Sequence, residues 1–384
     1  MKKKIVIVQN ISFYAWHMRI DLARFLSDHN YEVFFVSSSD KYITTKEKTS
    51  FTDDEYSKKI KNEFSYYNVN ISRKGTNPFT DIKTIYEFYK IYKLIQPDVI
   101  LHYTAKPNIY GTIAANFLNI SVINNIAGLG TLFIKQNFMT KVIKTLYKFS
   151  QKKASIIFFQ NPDDLNMFTT ENLVNPEKCR LLPGSGVNLE KFHPVNNNLS
   201  KNNFSFLLIA RLLKDKGILE YIEAANIVKA KYKNIEFKIL GAIDEGNKTS
   251  ISQKTVNNWV EKKSIIYLGV TDNVQNVIAD ADCIVLPSYR EGTPKSLLEA
   301  AAMEKPIIAT NVPGCKEVID DGINGYLCEV KNAKDLALKI EKMINLSKEE
   351  RAKMGKKGRA KMVNEFDELI VFKKYLKNIN ELIK

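Results

Sequence analysis

Two rhythms alternate along the chain. Short runs rich in β-branched residues read as strands: KIVIV (4–8), EVFFVS (32–37), DVILHY (98–103), SVINNI (121–126), SIIFFQ (155–160) and CRLLPG (179–184). They are nearly continuous in apolar character, the pattern of a parallel sheet covered on both faces. Segments of helical period lie between them, for example 81–95 and 107–118. The pattern then restarts with FSFLLIA (204–210), IEFKIL (235–240), SIIYLG (264–269), DCIVLPS (282–288) and KPIIATN (305–311). Two βα series predict an α/β protein with two doubly wound domains. Residues 187–203 are polar, rich in Asn and without either period, so they are assigned as the linker. The first domain is expected over 1–190 and the second over 191–365. From about 348 onward the pattern is that of a charged helix, and its end, about 366–384, is placed as a helix available to pack back on the first domain.

Length and composition narrow the class. With 384 residues, 45% hydrophobic and 26% charged, the chain has the make-up of a globular protein large enough for two cores. Cys179, Cys283, Cys315 and Cys328 show no CxxC spacing, which excludes a disulfide scaffold or zinc ribbon and fits a reducing cytoplasm. His17, His29, His102 and His193 are scattered and form no metal motif, so no metal site is expected. No apolar run reaches the ~18 residues of a membrane span. The apolar part of MKKKIVIVQN is too short for a secretory signal. The net charge of +15 favours anionic partners.

In open α/β sheets ligands bind beyond the carboxyl ends of the strands. In the second series those ends carry Arg211, then Lys216 before a helix, Gly241, Gly269, and the run Tyr289-Arg290-Glu291-Gly292-Thr293-Pro294. Arginine offers a planar fork to phosphate oxygens and lysine a point charge. Glycines let the backbone approach a ligand. Pro294 suits the first turn of a helix, so N–H groups of Thr293, Lys295 and Ser296 are expected to face an anion. Two carboxylates, Glu291 and Glu299, stand beside this phosphate-like site; carboxylates suit sugar hydroxyls, which donate to them. Together these residues describe a nucleotide sugar.

The run SYREGTPKSLLEA resembles the E-x7-E signature of glycosyltransferase family 4, with Glu291 and Glu299 as its two glutamates. RLLKDKG matches that family's donor-diphosphate cations at Arg211 and Lys216, and PGCKEVIDDGINGYL (313–327) resembles the stretch that follows. TAKPNIYG, GLGTLF and FFQNPDDLNMF extend the match through the first half. The resemblance implies a GT-B fold, two Rossmann-like doubly wound domains facing a central cleft. It further implies retaining transfer from a nucleotide sugar without a cofactor or an essential metal. By the same resemblance the diphosphate on Arg211 and Lys216 helps deprotonate the acceptor hydroxyl, Glu291 contacts the donor sugar and Glu299 the ribose. Among family members the chain is most similar to bacterial enzymes that add N-acetylgalactosamine to an undecaprenyl-diphosphate-linked sugar. That subfamily has a first loop ending in His-x-Arg, matched by His17 and Arg19. His17 joins Glu291, Arg211 and Lys216 as a catalytic candidate. His102 is the counterpart of a family histidine after the strand at 98–103, and Thr104 and Lys106 join it on the acceptor side.

Charge is uneven. No Asp or Glu occurs from Val99 to Pro162, while Lys141, Lys144, Lys148 and Lys152 fall on one helical stripe opposite an apolar arc. A core-packed helix with a solvated face and a helix at an anionic membrane surface both fit this pattern. Glu299 with Lys295 at i,i+4 also fits a plain surface pair. With the family resemblance, the expectation is a peripheral enzyme at the cytoplasmic face of a bacterial inner membrane, using a UDP-sugar and a polyprenyl-diphosphate-linked saccharide and meeting an anionic membrane surface. A UDP-sugar epimerase would instead convert donor without acceptor. A nucleic-acid-binding protein is motivated by charge alone, and no basic-aromatic module supports it.

Overall fold

A computed structural model describes residues 2–38, 53–72, 77–129, 138–195, 203–244, 246–247 and 249–383. The described residues divide into two compact units: those of 2–38, 53–182 and 371–383 form one, and those of 183–370 the other. In the first unit the elements are β1 (Lys3–Ile11), α1 (Ser12–Asp28), β2 (Tyr31–Ser38), α2 (Asp53–Lys61), β3 (Ser65–Asn68), α3 (Pro78–Ile95), β4 (Val99–Tyr103), a π-helical turn (Pro107–Gly111), α4 (Thr112–Asn116), β5 (Ser121–Ile126), α5 (Phe138–Gln151), β6 (Ile156–Phe159), α6 (Pro162–Thr170) and β7 (Cys179–Leu181). The second unit continues with β8 (Phe204–Ile209), α7 (Ile218–Lys231), β9 (Ile235–Leu240), α8 (Gln253–Glu261), β10 (Ile266–Tyr267), α9 (Val274–Ala279), β11 (Cys283–Leu286), α10 (Lys295–Ala302), β12 (Ile307–Thr310), β13 (Gly325–Cys328), α11 (Ala333–Asn345) and α12 (Lys348–Lys361). The last helix, α13 (Glu368–Leu382), runs on from there.

Among the described residues the first sheet has the order β3-β2-β1-β4-β5-β6-β7 and the second β10-β9-β8-β11-β12-β13. Every strand pair is parallel. Two parallel-sheet, Rossmann-like α/β units are the architecture expected from the sequence. In each sheet the order reverses between two central neighbours, β1 and β4 in the first and β8 and β11 in the second.

The continuous apolar runs are resolved by the period of two. Val6 and Val8 pack with Phe88 and Tyr92 of α3 and Ile143 and Tyr147 of α5 on one face. Ile5 and Ile7 pack with Leu22 and Leu26 of α1 and Phe372 and Tyr375 of α13 on the other. All four β1 side chains are fully buried, each worth ~1.5–3 kcal/mol relative to exposure. α3 starts where Asn77 accepts a hydrogen bond from Phe79 N–H, with Pro78 at its first position.

The structure differs from expectation at three places. Strands β3 (SYYN) and β13 (GYLC) carry no long apolar run. They are edge strands recognised by pairing alone, β3 on β2 and β13 on β12. The expected linker does not begin at 187: Val187 and Phe192 are buried in a core of the second unit, and Val187 N–H donates to Phe366 O. Polar composition around two core anchors concealed this. The helix expected over 107–118 opens as a π-helical turn. All four cysteines are buried and unbridged. Among the described residues no helix is long and apolar enough to cross a membrane.

Candidate active site

The residues expected to bind the donor gather at the carboxyl ends of β8, β9, β10 and β11. After β8 the chain runs along the segment following β9, with Leu212 N–H on Ala242 O and Ile251 N–H on Leu212 O. Leu212 and Leu213 are buried. A tight turn at Lys214–Lys216 then leads through Gly217 into α7. Gly217 has φ +70°, and a Cβ there would lie 2.0 Å from Pro287 O. Only glycine tolerates both that backbone and that approach. The close docking, with Tyr289 N–H on Asp215 O, brings the β8 loop onto the β11 loop. Lys216 Nζ consequently reaches Glu291 Oε1 at 2.5 Å, and neither side chain is more than a fifth exposed. Glu291 is supported from below: its N–H donates to Pro313 O. Gly314, with φ +89°, packs where a Cβ would meet Gly292 O at 2.4 Å.

Arg211 is also engaged with a carboxylate, Nη1 to Asp244 Oδ2 at 3.2 Å. Asp244 was not singled out from the sequence. It follows β9 and Gly241, and the strand-end rule applied to carboxylates as well as cations finds it. Gly241 and Gly269, both singled out, meet each other through Gly241 N–H on Gly269 O at 2.7 Å. Helix α10 begins at Lys295, with Pro294 as its N-cap and no side chain capping it. Proline is thus one position earlier than expected. Ser296 follows in the first turn, and Thr293 is packed by Gly184. Glu299 sits deeper along α10, 12% exposed, with Lys295 Nζ at 4.0 Å. Burial raises its pKa, against the pull of Lys295 and Lys191. Two more groups near the switch point were not anticipated: the buried Ser288 hydroxyl, without a hydrogen-bond partner, and Glu220, which accepts from Tyr289 Oη at 2.7 Å.

Most of the residues expected on the acceptor side lie near the corresponding end of the first sheet. Val8 pairs with His102, so Gln9 and Asn10 stand beside Tyr103 and Thr104 at the β1/β4 switch point. The β1–β2 register slips between Val8 and Ile11, which takes Gln9 and Asn10 out of the ladder. Gln9 Oε1, Asn10 Oδ1 and Thr104 Oγ1 are buried atoms with no hydrogen-bond partner. Thr104 holds φ +70°, strained for a β-branched residue. His17 packs its ring against Phe13 and Tyr56 at centroid distances of 4.5 and 5.0 Å. Arg19 is buried, its guanidinium 3.7 Å from the Tyr103 ring centroid. Lys106 Nζ is held by Asp81 Oδ1 at 2.9 Å.

His102 does not belong to the accessible set. It is fully buried, with Nε2 on Tyr92 Oη at 2.8 Å and Nδ1 on Asn124 Oδ1 at 3.0 Å. Tyr92 donates and Asn124 accepts in the consistent assignment, a neutral ring with its proton on Nδ1. Burial lowers its pKa to about 3. Both nitrogens are committed, and the ring is a packing and hydrogen-bonding element under the π-helical turn. Its position on a strand rather than after one is the physical reason. Of the GLGTLF motif, residues 130–133 lie outside the described residues.

Comparison with known proteins agrees in both halves. Residues 4–161 match the family described as glycosyl transferase 4-like, and residues 190–361 that described as glycosyl transferases group 1. The chain is 31% identical, over 96% of both lengths, to the N,N'-diacetylbacillosaminyl-diphospho-undecaprenol alpha-1,3-N-acetylgalactosaminyltransferase of Campylobacter jejuni. It is 28% identical to an Escherichia coli UDP-Gal:alpha-D-GlcNAc-diphosphoundecaprenol alpha-1,3-galactosyltransferase, over 75% of this chain and 76% of that one. The crystal structure of Anabaena HepE with UDP and glucose shares the fold, with TM-score 0.79 at 16% identity over 99% of this chain and all of its own. Full-length likeness at this identity, on a fold with charged strand ends at a switch point, shows that the chain belongs to the group 1, family 4 glycosyltransferases and is a sugar transferase.

Proposed function

We propose that this enzyme moves an N-acetylhexosamine, N-acetylgalactosamine first among them, from a UDP-sugar to a saccharide carried on undecaprenyl diphosphate. The transfer is retaining and needs no metal, and it serves bacterial glycan assembly at the cytoplasmic face of the inner membrane. The full-length likeness to the Campylobacter enzyme carries this reading. The strand-end crevice of the second unit supplies the chemistry.

In this reading Arg211 and Lys216 hold the donor diphosphate and stabilise charge on the departing UDP. Each cation already faces a carboxylate, Asp244 or Glu291. A diphosphate arriving at Lys216 competes with Glu291 and releases that carboxylate toward the sugar hydroxyls. Glu299 accepts from the ribose hydroxyls. Backbone N–H groups at the start of α10 complete the phosphate cradle. The attacking acceptor hydroxyl passes its proton to the leaving diphosphate on the same face, as the family resemblance implies. His17 and Thr104 line the acceptor side, with Arg19 and Lys106 positioning Tyr103 and α3 around it.

The test is an acceptor-dependent transfer assay. Enzyme is incubated with bacterial membrane lipids bearing diphosphate-linked sugars and a panel of labelled UDP- and GDP-sugars in EDTA. One UDP-N-acetylhexosamine should label the organic phase, and NMR of the product should show the donor's anomeric configuration. Loss of label in EDTA removes the metal-free part, and inversion removes the retaining part. Absence of organic-phase label from any donor, while UDP still binds, removes the lipid acceptor.

A further inference from the structure

Helix α3 has an unusual outer face. Its inner side is ordinary: Thr84, Phe88, Tyr92 and Ile95 are buried, and Phe88 and Tyr92 belong to the core under the first sheet. On the other side Phe79 is 85% exposed, Ile82 65%, Tyr86 55% and Leu94 70%. Lys83, Lys90 and Lys93 are exposed on that side too. At 100° per residue these seven side chains fall within an arc of about 120°. The helix's two carboxylates lie off that arc. Asp81 is buried and paired with Lys106, and Glu87 accepts from Asn70 N and Nδ2. Single exposed apolar residues are ordinary on a protein surface, but four on one helical face interleaved with lysines and no acid are not.

The neighbouring helices continue the pattern. α3, α4 and α5 pack on the same face of the first sheet, so their outer sides turn the same way. α5 adds Phe138 and Phe149, both exposed, with Lys141 and Lys148. The lysine stripe expected on α5 is therefore only partly available, because Lys144 is taken by Glu171 at 2.7 Å. The stronger surface lies on α3, where the sequence pattern alone placed only a helix.

We infer that the outer face of α3, extended by α5, is a docking surface for the headgroup region of a bilayer containing anionic lipid. Phe79, Ile82 and Tyr86 enter the interface, and Lys83, Lys90 and Lys93 meet lipid phosphates. Interleaved aromatic and basic residues are what an interfacial helix needs. A protein partner fits less well, since lysine is depleted from the centres of protein interfaces. The inference gains its biological sense from the proposed lipid-linked acceptor, but its test does not require that acceptor.

Full-length enzyme is sedimented with vesicles of phosphatidylethanolamine and phosphatidylglycerol, and with phosphatidylcholine alone. UDP affinity is measured in parallel by calorimetry. Wild type should bind the anionic vesicles, less so as salt rises. Lys83→Glu/Lys90→Glu/Lys93→Glu should weaken partition about a hundredfold or more. Phe79→Ser/Ile82→Ser/Tyr86→Ser should weaken it on both vesicle types. All six substituted positions are exposed, so both variants should keep wild-type UDP affinity and melting behaviour. Vesicle binding by wild type that neither variant reduces overturns the inference. So does an absence of vesicle binding, and so does a wild-type dimer that the serine variant splits, which makes the face a contact between copies. Vesicle binding without any transfer to a polyprenyl-diphosphate saccharide instead sinks the acceptor reading and leaves the surface standing.

Discussion

The two sheets present the same topological feature with opposite chemistry. At the β8/β11 switch point of the second unit the polar groups are charged and already opposed: Arg211 to Asp244, Lys216 to Glu291, Lys295 near Glu299. At the β1/β4 switch point of the first unit they are mostly neutral amides and hydroxyls. Gln9, Asn10 and Thr104 end the strands, and behind them Asn125 Nδ2 donates to Tyr375 Oη while Gln160 Nε2 donates to Asn125 Oδ1. Charged groups suit a leaving group that must carry developing charge. Neutral groups suit a saccharide, whose hydroxyls and acetamides carry none. The proposed division of labour between donor and acceptor would thus have a physical signature in each sheet.

The largest effect that could break this comparison is a truncation at each end. Arg211→Ala should lower transfer about 10²–10³-fold, the range for removing one group that stabilises transition-state charge. Its melting temperature should move little, since the Arg211 side chain is more than a third exposed. Gln9→Ala removes a buried carbonyl that has no partner, which offsets part of the packing lost with its methylenes, so it should cost little stability. It should cost transfer about tenfold or less, one neutral hydrogen bond. Equal losses at the two positions, measured as kcat/KM, would erase the distinction between a charged and a neutral end.

The next effect concerns stability in the first unit. A Cβ on Gly111 would sit 2.3 Å from His102 Nε2. Gly111→Ala should therefore destabilise that unit by ~1–3 kcal/mol, as overpacking does, while UDP binding stays intact. His102 also sets an acid limb. Its folded-state pKa of about 3 lies below the ordinary 6.5, so the unfolded chain binds the proton first. The stability contributed by the neutral ring is whole above pH 6.5 and is lost as pH falls toward 3. His102→Gln, which cannot take up a proton, should flatten that limb in acid titrations followed by circular dichroism.

Charge and period made much of this legible in the sequence. The parallel α/β architecture followed from continuous apolar runs, and Arg211, Lys216 and Glu291 followed from reading what comes after each strand. What escaped had no such signal. β3 and β13 are short edge strands without an apolar run, and only their pairing with the strand before them marks them. Asp244 is the exception: it follows β9, where the same strand-end rule applied to carboxylates finds it. His102 was selected by resemblance, and only the fold shows that Gly111 and Tyr92 close over it. The α3 face was hidden because apolar residues at helical spacing read as core, and burial alone separates Phe88 from Phe79.

Smaller effects sharpen the comparison. Thr104 carries strain that glycine would relieve, since a non-glycine residue with positive φ costs about 1–3 kcal/mol. Glycine's greater unfolded-state entropy returns part of that. Thr104→Gly should thus stabilise the first unit by about 1 kcal/mol, yet lower transfer through the lost hydroxyl. A variant both more stable and fully active would mean that the strain serves no acceptor.

Glu299→Gln asks the parallel question of the second unit. Burial raises the pKa of Glu299 above the ordinary 4.5. The folded state therefore holds the proton more firmly than the unfolded chain, and stability declines as pH rises from 4.5 through the folded value. The neutral isostere escapes that decline, so Glu299→Gln should melt slightly higher than wild type at pH 7 and no higher at pH 4. An amide still accepts one hydrogen bond but loses the charge-assisted pair that a carboxylate offers to vicinal hydroxyls. Affinity for UDP should accordingly fall several-fold, and the preference for UDP over 2′-deoxy-UDP should shrink. A raised melting temperature with an unchanged ribose preference would leave Glu299 as the partner of Lys295 alone. The charged end of the second sheet would then reach no further than the diphosphate.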